Sequence, residues 1–227
     1  MMRTTLIAMC WAVLVAACGG AKPTSPGNQG GKGGDTVAVA LVMNGWEVWV
    51  GNDRILEASD PARYEGALDY VKAGVDGAQL GALPAGSQGT LIVYADKATV
   101  KLPMGPIAKL NGEAIGGQKE YMETTGSELV QGVELGLAEL RKTSAKRKLL
   151  LVVGDGNDTN RETAKPRLAD LRKQAEAEQV ELRAVIYKTA LSTADSVISG
   201  LVPDAAVART VDDVKTQIGL ALKKLRR

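Results

Sequence analysis

Two stretches of this chain, TVAVALVM at residues 36–43 and KLLLVV at 148–153, are apolar at almost every position. A strand with one face in water alternates apolar and polar residues, whereas a strand buried on both faces does not. Strands of this kind must be covered on each side, and amphipathic helical patterns lie between them. GTLIVYA (89–95) and ELRAVIY (181–187) read as further strands, and ATVKL (98–102) alternates, as an edge strand turning back at Asp96-Lys97 would. Asp60-Pro61 marks a helix start, followed at helical spacing by Tyr64, Leu68, Val71 and Val75. Ser127 is placed to cap a helix with the stripe Leu129, Val133, Leu137 and Leu140. Residues 163–178 predict a charged outer helix with Leu168, Leu171 and Ala175 inward, and Val211, Val214, Ile218, Leu222 and Leu225 stripe a last one. The expected architecture is a three-layer, doubly wound α/β domain: a mostly parallel sheet with one antiparallel edge strand. Such sheets bind ligands at the carboxyl ends of their strands, which here means loops 43–59, 122–128 and 154–162.

The domain is expected to occupy residues 36–227. Before it, MMRTTLIAMCWAVLVAAC has one positive charge, an apolar run too short to span a bilayer, and small residues, the layout of a secretory signal over residues 1–17. Val15-Ala16-Ala17-Cys18 resembles a bacterial lipobox, which implies a lipidated Cys18. Gly19 after that cysteine, rather than Asp, resembles outer-membrane lipoproteins, on their periplasmic or surface face. GGAKPTSPGNQGGKGGD (19–35) contains seven glycines and two prolines, so residues 18–35 read as a flexible tether. Its root-mean-square span is about 21–25 Å.

Composition removes several chemistries. With Cys10 and Cys18 assigned to the leader and its end, the domain has no cysteine to pair, and its stability must come from packing. There is no histidine, which excludes Ser-His-Asp, Cys-His and HExxH catalysis. A net charge of +2 gives no argument for nucleic acid. The basic residues Arg141, Lys142, Lys146, Arg147 and Lys148 read as a solvated face, with attraction to anionic headgroups as the alternative.

Three segments carry a family likeness. LIVYADKATVKLPM, TTGSELVQGVELGLAEL and RKLLLVVGDGNDTN resemble, in this order, the second strand with its hairpin, the second metal loop with its helix, and the fourth strand with the third metal loop of von Willebrand factor type A (VWA) domains. That family usually holds Mg²⁺ or Mn²⁺ between three loops: Asp-x-Ser-x-Ser, a Thr and an Asp. The resemblance carries the Thr to Ser127 and the Asp to Asp155, with Asp158 as a further ligand candidate. The first loop departs, because the matching positions read Met43, Asn44, Gly45, Trp46 and Glu47. A thioether is a poor ligand for a hard cation, so a regular metal site is not expected. Glu47 or Asp53 would have to complete a rebuilt one.

The same loop holds Trp46 and Trp49. Asn44-Gly45 between apolar runs is a hairpin signal, placing Trp46, Val48 and Val50 on one face and Glu47 and Trp49 on the other. Tryptophan is enriched in interface hot spots, although both rings also suit a satellite core. VGDGNDTN also resembles the GDGxND stretch of haloacid-dehalogenase-type phosphatases, but the Asp-x-Asp nucleophile motif of those enzymes is nowhere in the chain.

The expected function is a lipid-anchored, non-enzymatic envelope module. Asn44, Trp46, Glu47, Trp49, Ser127, Asp155 and Asn157 are expected to contact a protein or peptide partner. The alternative is a metal-dependent adhesion module built on Ser127, Asp155 and Asp158.

Overall fold

Six strands form one sheet in the order β3-β2-β1-β4-β5-β6. They are β1 (Val37–Asn44), β2 (Gln88–Tyr94), β3 (Ala98–Pro106), β4 (Arg147–Gly154), β5 (Val180–Tyr187) and β6 (Ala206–Ala208). All neighbours are parallel except β2 and β3. The computed structural model describes residues 35–45, 71–116, 126–187, 196–208 and 211–226. Cys18, Trp46, Glu47, Trp49, Asp53, the Asp60-Pro61 helix start and the returning arm of the expected hairpin lie outside them.

Helices cover both faces of the sheet. Helical residues 71–77 (α1) and α5 (Val211–Lys223) lie on one face, and α3 (Leu129–Arg141) and α4 (Arg161–Ala177) on the other. Alternation along β1 divides its side chains between the two cores. Val37, Val39, Leu41 and Met43 pack toward α1 and α5, while Ala38, Ala40 and Val42 pack toward α3 and α4. Every residue of β1 is buried, as its unbroken apolar run requires. Each fully buried Val or Leu contributes about 1.5–3 kcal/mol. The predicted inward residues of α3, α4 and α5 described by side chain are all buried.

α3 approaches the sheet closely because it presents Gly132 and Gly136 to it. A Cβ at Gly132 would stand 3.0 Å from Val42 Cγ1, and one at Gly136 would stand 2.8 Å from Leu150 Cδ1. This seam seats the amino end of α3 beside the ends of β1 and β4.

Several expectations are corrected. β3 continues to Pro106 rather than ending at 102, and its register against β2 shifts around Leu91. The buried carboxylate of Glu139 on α3 fills this irregularity: Met104 N–H donates to Oε2 at 2.9 Å, and Lys142 donates to Oε1. α4 begins at Arg161, two residues before the predicted start. The short helix α2 (Gly112–Gly116) and β6 were not expected, being too short to carry a periodic signature. The basic run before β4 is mostly partnered. Arg141 pairs with Glu178 at 2.9 Å, Lys142 with Glu139, and Lys146 with Asp35 at 3.2 Å. Arg147 donates to the carbonyls of Leu225 and Lys224 at 2.8 and 3.2 Å, closing the end of the last helix. Among the described residues no helix is long and apolar enough to cross a membrane.

Candidate functional site

The carboxyl ends of β1 and β4 and the amino end of α3 meet in one polar network. Its centre is Asp155, the first residue after β4, with 4% of its surface exposed. Asn44 Nδ2 donates to Asp155 Oδ1 at 3.3 Å, and the Asn157 backbone N–H donates to the same oxygen at 3.0 Å. The other oxygen accepts from Asn157 Nδ2 at 3.1 Å. Burial pushes the Asp155 carboxyl above its ordinary value, and these donors oppose that shift without cancelling it.

Ser127 and Thr159 brace the second loop against the third. Ser127 Oγ donates to the Asn157 carbonyl at 3.0 Å, Ser127 N–H donates to Thr159 Oγ1 at 2.9 Å, and Thr159 N–H returns to the Ser127 carbonyl at 2.6 Å. Ser127 therefore does not cap α3 as expected. Asp158, across the interface, takes that role: Val130 N–H donates to Oδ2 at 3.0 Å. Asn160 N–H donates to Asp158 Oδ1 at 2.9 Å. A carboxylate at this helix terminus satisfies an orphan donor and complements the dipole.

Gly156 makes the turn after Asp155 with φ +73°. Its carbonyl accepts from Ser196 Oγ and, at 3.1 Å, from Ile198 N–H, so the segment opening at Ser196 clamps the third loop from outside. Sequence patterning missed Thr159 and Ser196. Only the hydroxyl in Gly-Asp-Gly-Asn-Asp-Thr hinted at the first, and nothing local pointed to the second. At the rim, partial burial and then the charges of Asp158 and Asp96 raise the Glu128 carboxyl above its ordinary 4.5.

The described side chains do not fit a divalent metal. Met43, aligned above with the family's first Asp, lies in the core on the α1–α5 face, and Asn44 is the residue beside Asp155. The group beside Asp155 is therefore a neutral amide, which adds no negative charge to attract a divalent ion. Asp158 is engaged by two backbone amides, and the Ser127 hydroxyl by a carbonyl. Among the described residues no three His, Cys, Asp or Glu side chains converge.

No protein-family profile matches the sequence, and no curated protein does. Solved structures do resemble the fold. The pilus adhesin SpaC from Lactobacillus rhamnosus GG superposes with a TM-score of 0.59 and 13% identity, over 85% of this chain and 31% of the adhesin. Proximal thread matrix protein 1 from the mussel byssus, solved with a zinc-occupied MIDAS motif, gives 0.57 and 18%, over 82% of this chain and 46% of that one. The chain thus matches less than half the length of either protein. The SpRpn10 VWA domain gives 0.55 and 12%, over 80% of this chain and 94% of its own. With its parallel sheet, one antiparallel edge pair and helices on both faces, the domain has the fold of a von Willebrand factor type A domain.

Proposed function

We propose that this domain is a non-enzymatic binding module of the cell envelope, held by a lipid on Cys18 and contacting a protein or peptide through its carboxyl-end loops without a regular metal ion. The observation that carries the reading is the Asn44–Asp155 hydrogen bond, an amide–carboxylate pair at the centre of the loop cluster. The adhesin and matrix-protein neighbours support a binding role, and the envelope setting rests on the lipobox-like Val15–Cys18. Asn44, Ser127, Asp155 and Asn157 hold the platform rigid. Thr159 braces it through Ser127, Asn160 is its exposed rim, and Trp46, Glu47 and Trp49 are the proposed contacts from the first loop. The alternative, an adhesion site in which Ser127, Asp155 and Asp158 hold Mg²⁺ or Mn²⁺, has weaker support because those groups already serve as loop braces.

The test uses the full chain as bait against envelope proteins of the organism that makes it, with and without EDTA. Capture that survives EDTA and is lost in Asn160→Arg supports the proposal. Capture abolished by EDTA favours the metal-dependent alternative, and capture indifferent to the substitution overturns the assignment of this surface.

A further inference from the structure

The chain enters the domain at the amino end of β1. There Arg147 N–H donates to the Thr36 carbonyl at 3.2 Å, and Val37 pairs with Arg147. This end lies opposite the carboxyl-end loops, so the segment preceding Thr36 joins the domain at the end remote from Asp155.

Basic residues gather at the same end. α3 finishes at Arg141 and leads through Lys142 and Lys146 into β4, which opens with Arg147 and Lys148. α5 finishes there at Lys223, and the Arg147 guanidinium holds the carbonyls of Leu225 and Lys224. Pairing removes only part of this charge. Arg141, Lys142 and Lys146 are matched by Glu178, Glu139 and Asp35. Arg147, Lys148, Lys223 and Lys224 have no carboxylate partner among the described residues. Elsewhere at this end Lys72 and Lys109 offset Asp76 and Glu113, and Asp204 offsets one of the four, so a positive excess remains. Lys223 and Lys224 are exposed and complement the α5 dipole, but Lys148 opens a strand and has no such role. Asp96, Glu128, Asp155 and Asp158 stand at the other end, so charge is graded along the strands.

The tether decides which end can meet a membrane. Residues 18–35 span about 21–25 Å. To bring the carboxyl-end loops to the bilayer, the tether would have to run back along roughly 26 Å of an eight-residue strand. The amino end needs no such detour. The field of a charged bilayer decays within about 8 Å at physiological salt, so only the end in contact senses it. Each Lys or Arg near an anionic surface strengthens adsorption about five-fold.

From the point of chain entry and the unpaired positive charge around it, we infer that the amino end of the sheet docks on an anionic phospholipid surface beside the lipid on Cys18. Arg147, Lys148, Lys223 and Lys224 face the headgroups, and the carboxyl-end loops are presented away from the membrane. The inference rests on the lipid anchor of the proposed function.

The test reconstitutes the full chain, isolated from its own membranes, into vesicles of phosphatidylcholine alone and of equal parts phosphatidylcholine and phosphatidylglycerol. Acetylation of individual lysines is followed by mass spectrometry. On the anionic vesicles Lys148, Lys223 and Lys224 are expected to react about five-fold more slowly than on the neutral ones, and high salt to remove the difference. Lys97, in the turn between β2 and β3 at the other end, is expected to react equally on both. In Lys223→Glu/Lys224→Glu, whose fold is checked by circular dichroism, Lys148 is expected to return to its neutral-vesicle rate. Equal rates for Lys148, Lys223 and Lys224 on the two surfaces overturn the proposal, as does equal protection of Lys97. Release of the chain from neutral vesicles by washing refutes the lipid on Cys18 separately, and the lysine rates on anionic vesicles still decide the docking surface.

Discussion

Asn44 at the end of β1 donates its side-chain amide to Asp155 at the end of β4, 3.3 Å across two adjacent parallel strands. The pair joins the first and third loops and leaves one negative charge where two would repel. Asn44→Asp restores that repulsion in a buried setting. At about pH 7 the variant is expected to lose roughly 2–4 kcal/mol, recovering as pH falls and one carboxyl takes a proton. Urea denaturation at neutral and mildly acidic pH checks this, and equal stability at neutral pH would contradict it.

Asp155 gives the fold a pH signature of its own. Its folded-state value is raised by burial above the ordinary 3.8. Below 3.8 the group is protonated in both folded and unfolded chains. Between that value and the raised one, the folded state holds the proton more tightly, so stability falls as pH rises through this window. Asp155→Asn does not titrate there. The stability difference between wild type and variant should therefore shift against the wild type as pH rises, and then level off. A constant difference from acid to neutral pH would count against the burial of this charge.

The turn at Gly156 is sterically closed to other residues. A Cβ would overlap Ser196 Oγ and come within 2.9 Å of Ile198 Cγ2, at a φ of +73° that L-residues disfavour. Gly156→Ala should cost about 2–4 kcal/mol. Adding Ser196→Ala should recover the part due to overlap and leave the part due to backbone conformation. Chemical denaturation of the two variants separates these contributions.

Much of this architecture is legible in the residue pattern, for identifiable reasons. The runs ending in Met43 and Val153 announce doubly buried strands because no polar residue interrupts them. The stripes of α3, α4 and α5 declare their inward faces. Short elements escape, since three residues in β6 cannot display a period. The site is harder still. Asp155 and Ser127 are locatable by resemblance, but which residue stands beside Asp155 depends on a one-residue difference in where β1 ends. That step reverses the face to which a side chain points, and it places Asn44 rather than Met43 in the network. The switch of α3's cap from Ser127 to Asp158 is a contact between residues 28 positions apart, which local patterning does not report.

Glu139 is a buried carboxylate with a structural task. Glu139→Ala removes the acceptor for Met104 N–H and should destabilise by about 1–3 kcal/mol, whereas Glu139→Gln retains an acceptor oxygen and should lose less. Hydrogen exchange at Met104 provides a local readout, with the alanine variant exchanging faster and the glutamine variant close to wild type.

The central claim is that the loop cluster is held by its own amide and hydroxyl donors in place of a metal ion. The direct measurement is thermal unfolding of the full chain in EDTA and then in millimolar Mg²⁺ or Mn²⁺. A site filled at about 100 times its dissociation constant would add roughly 2.7 kcal/mol, or about 5–11 °C for a domain of this size. The expected result is no shift with either ion. A shift of that size, abolished by Asp155→Ala, would contradict the claim.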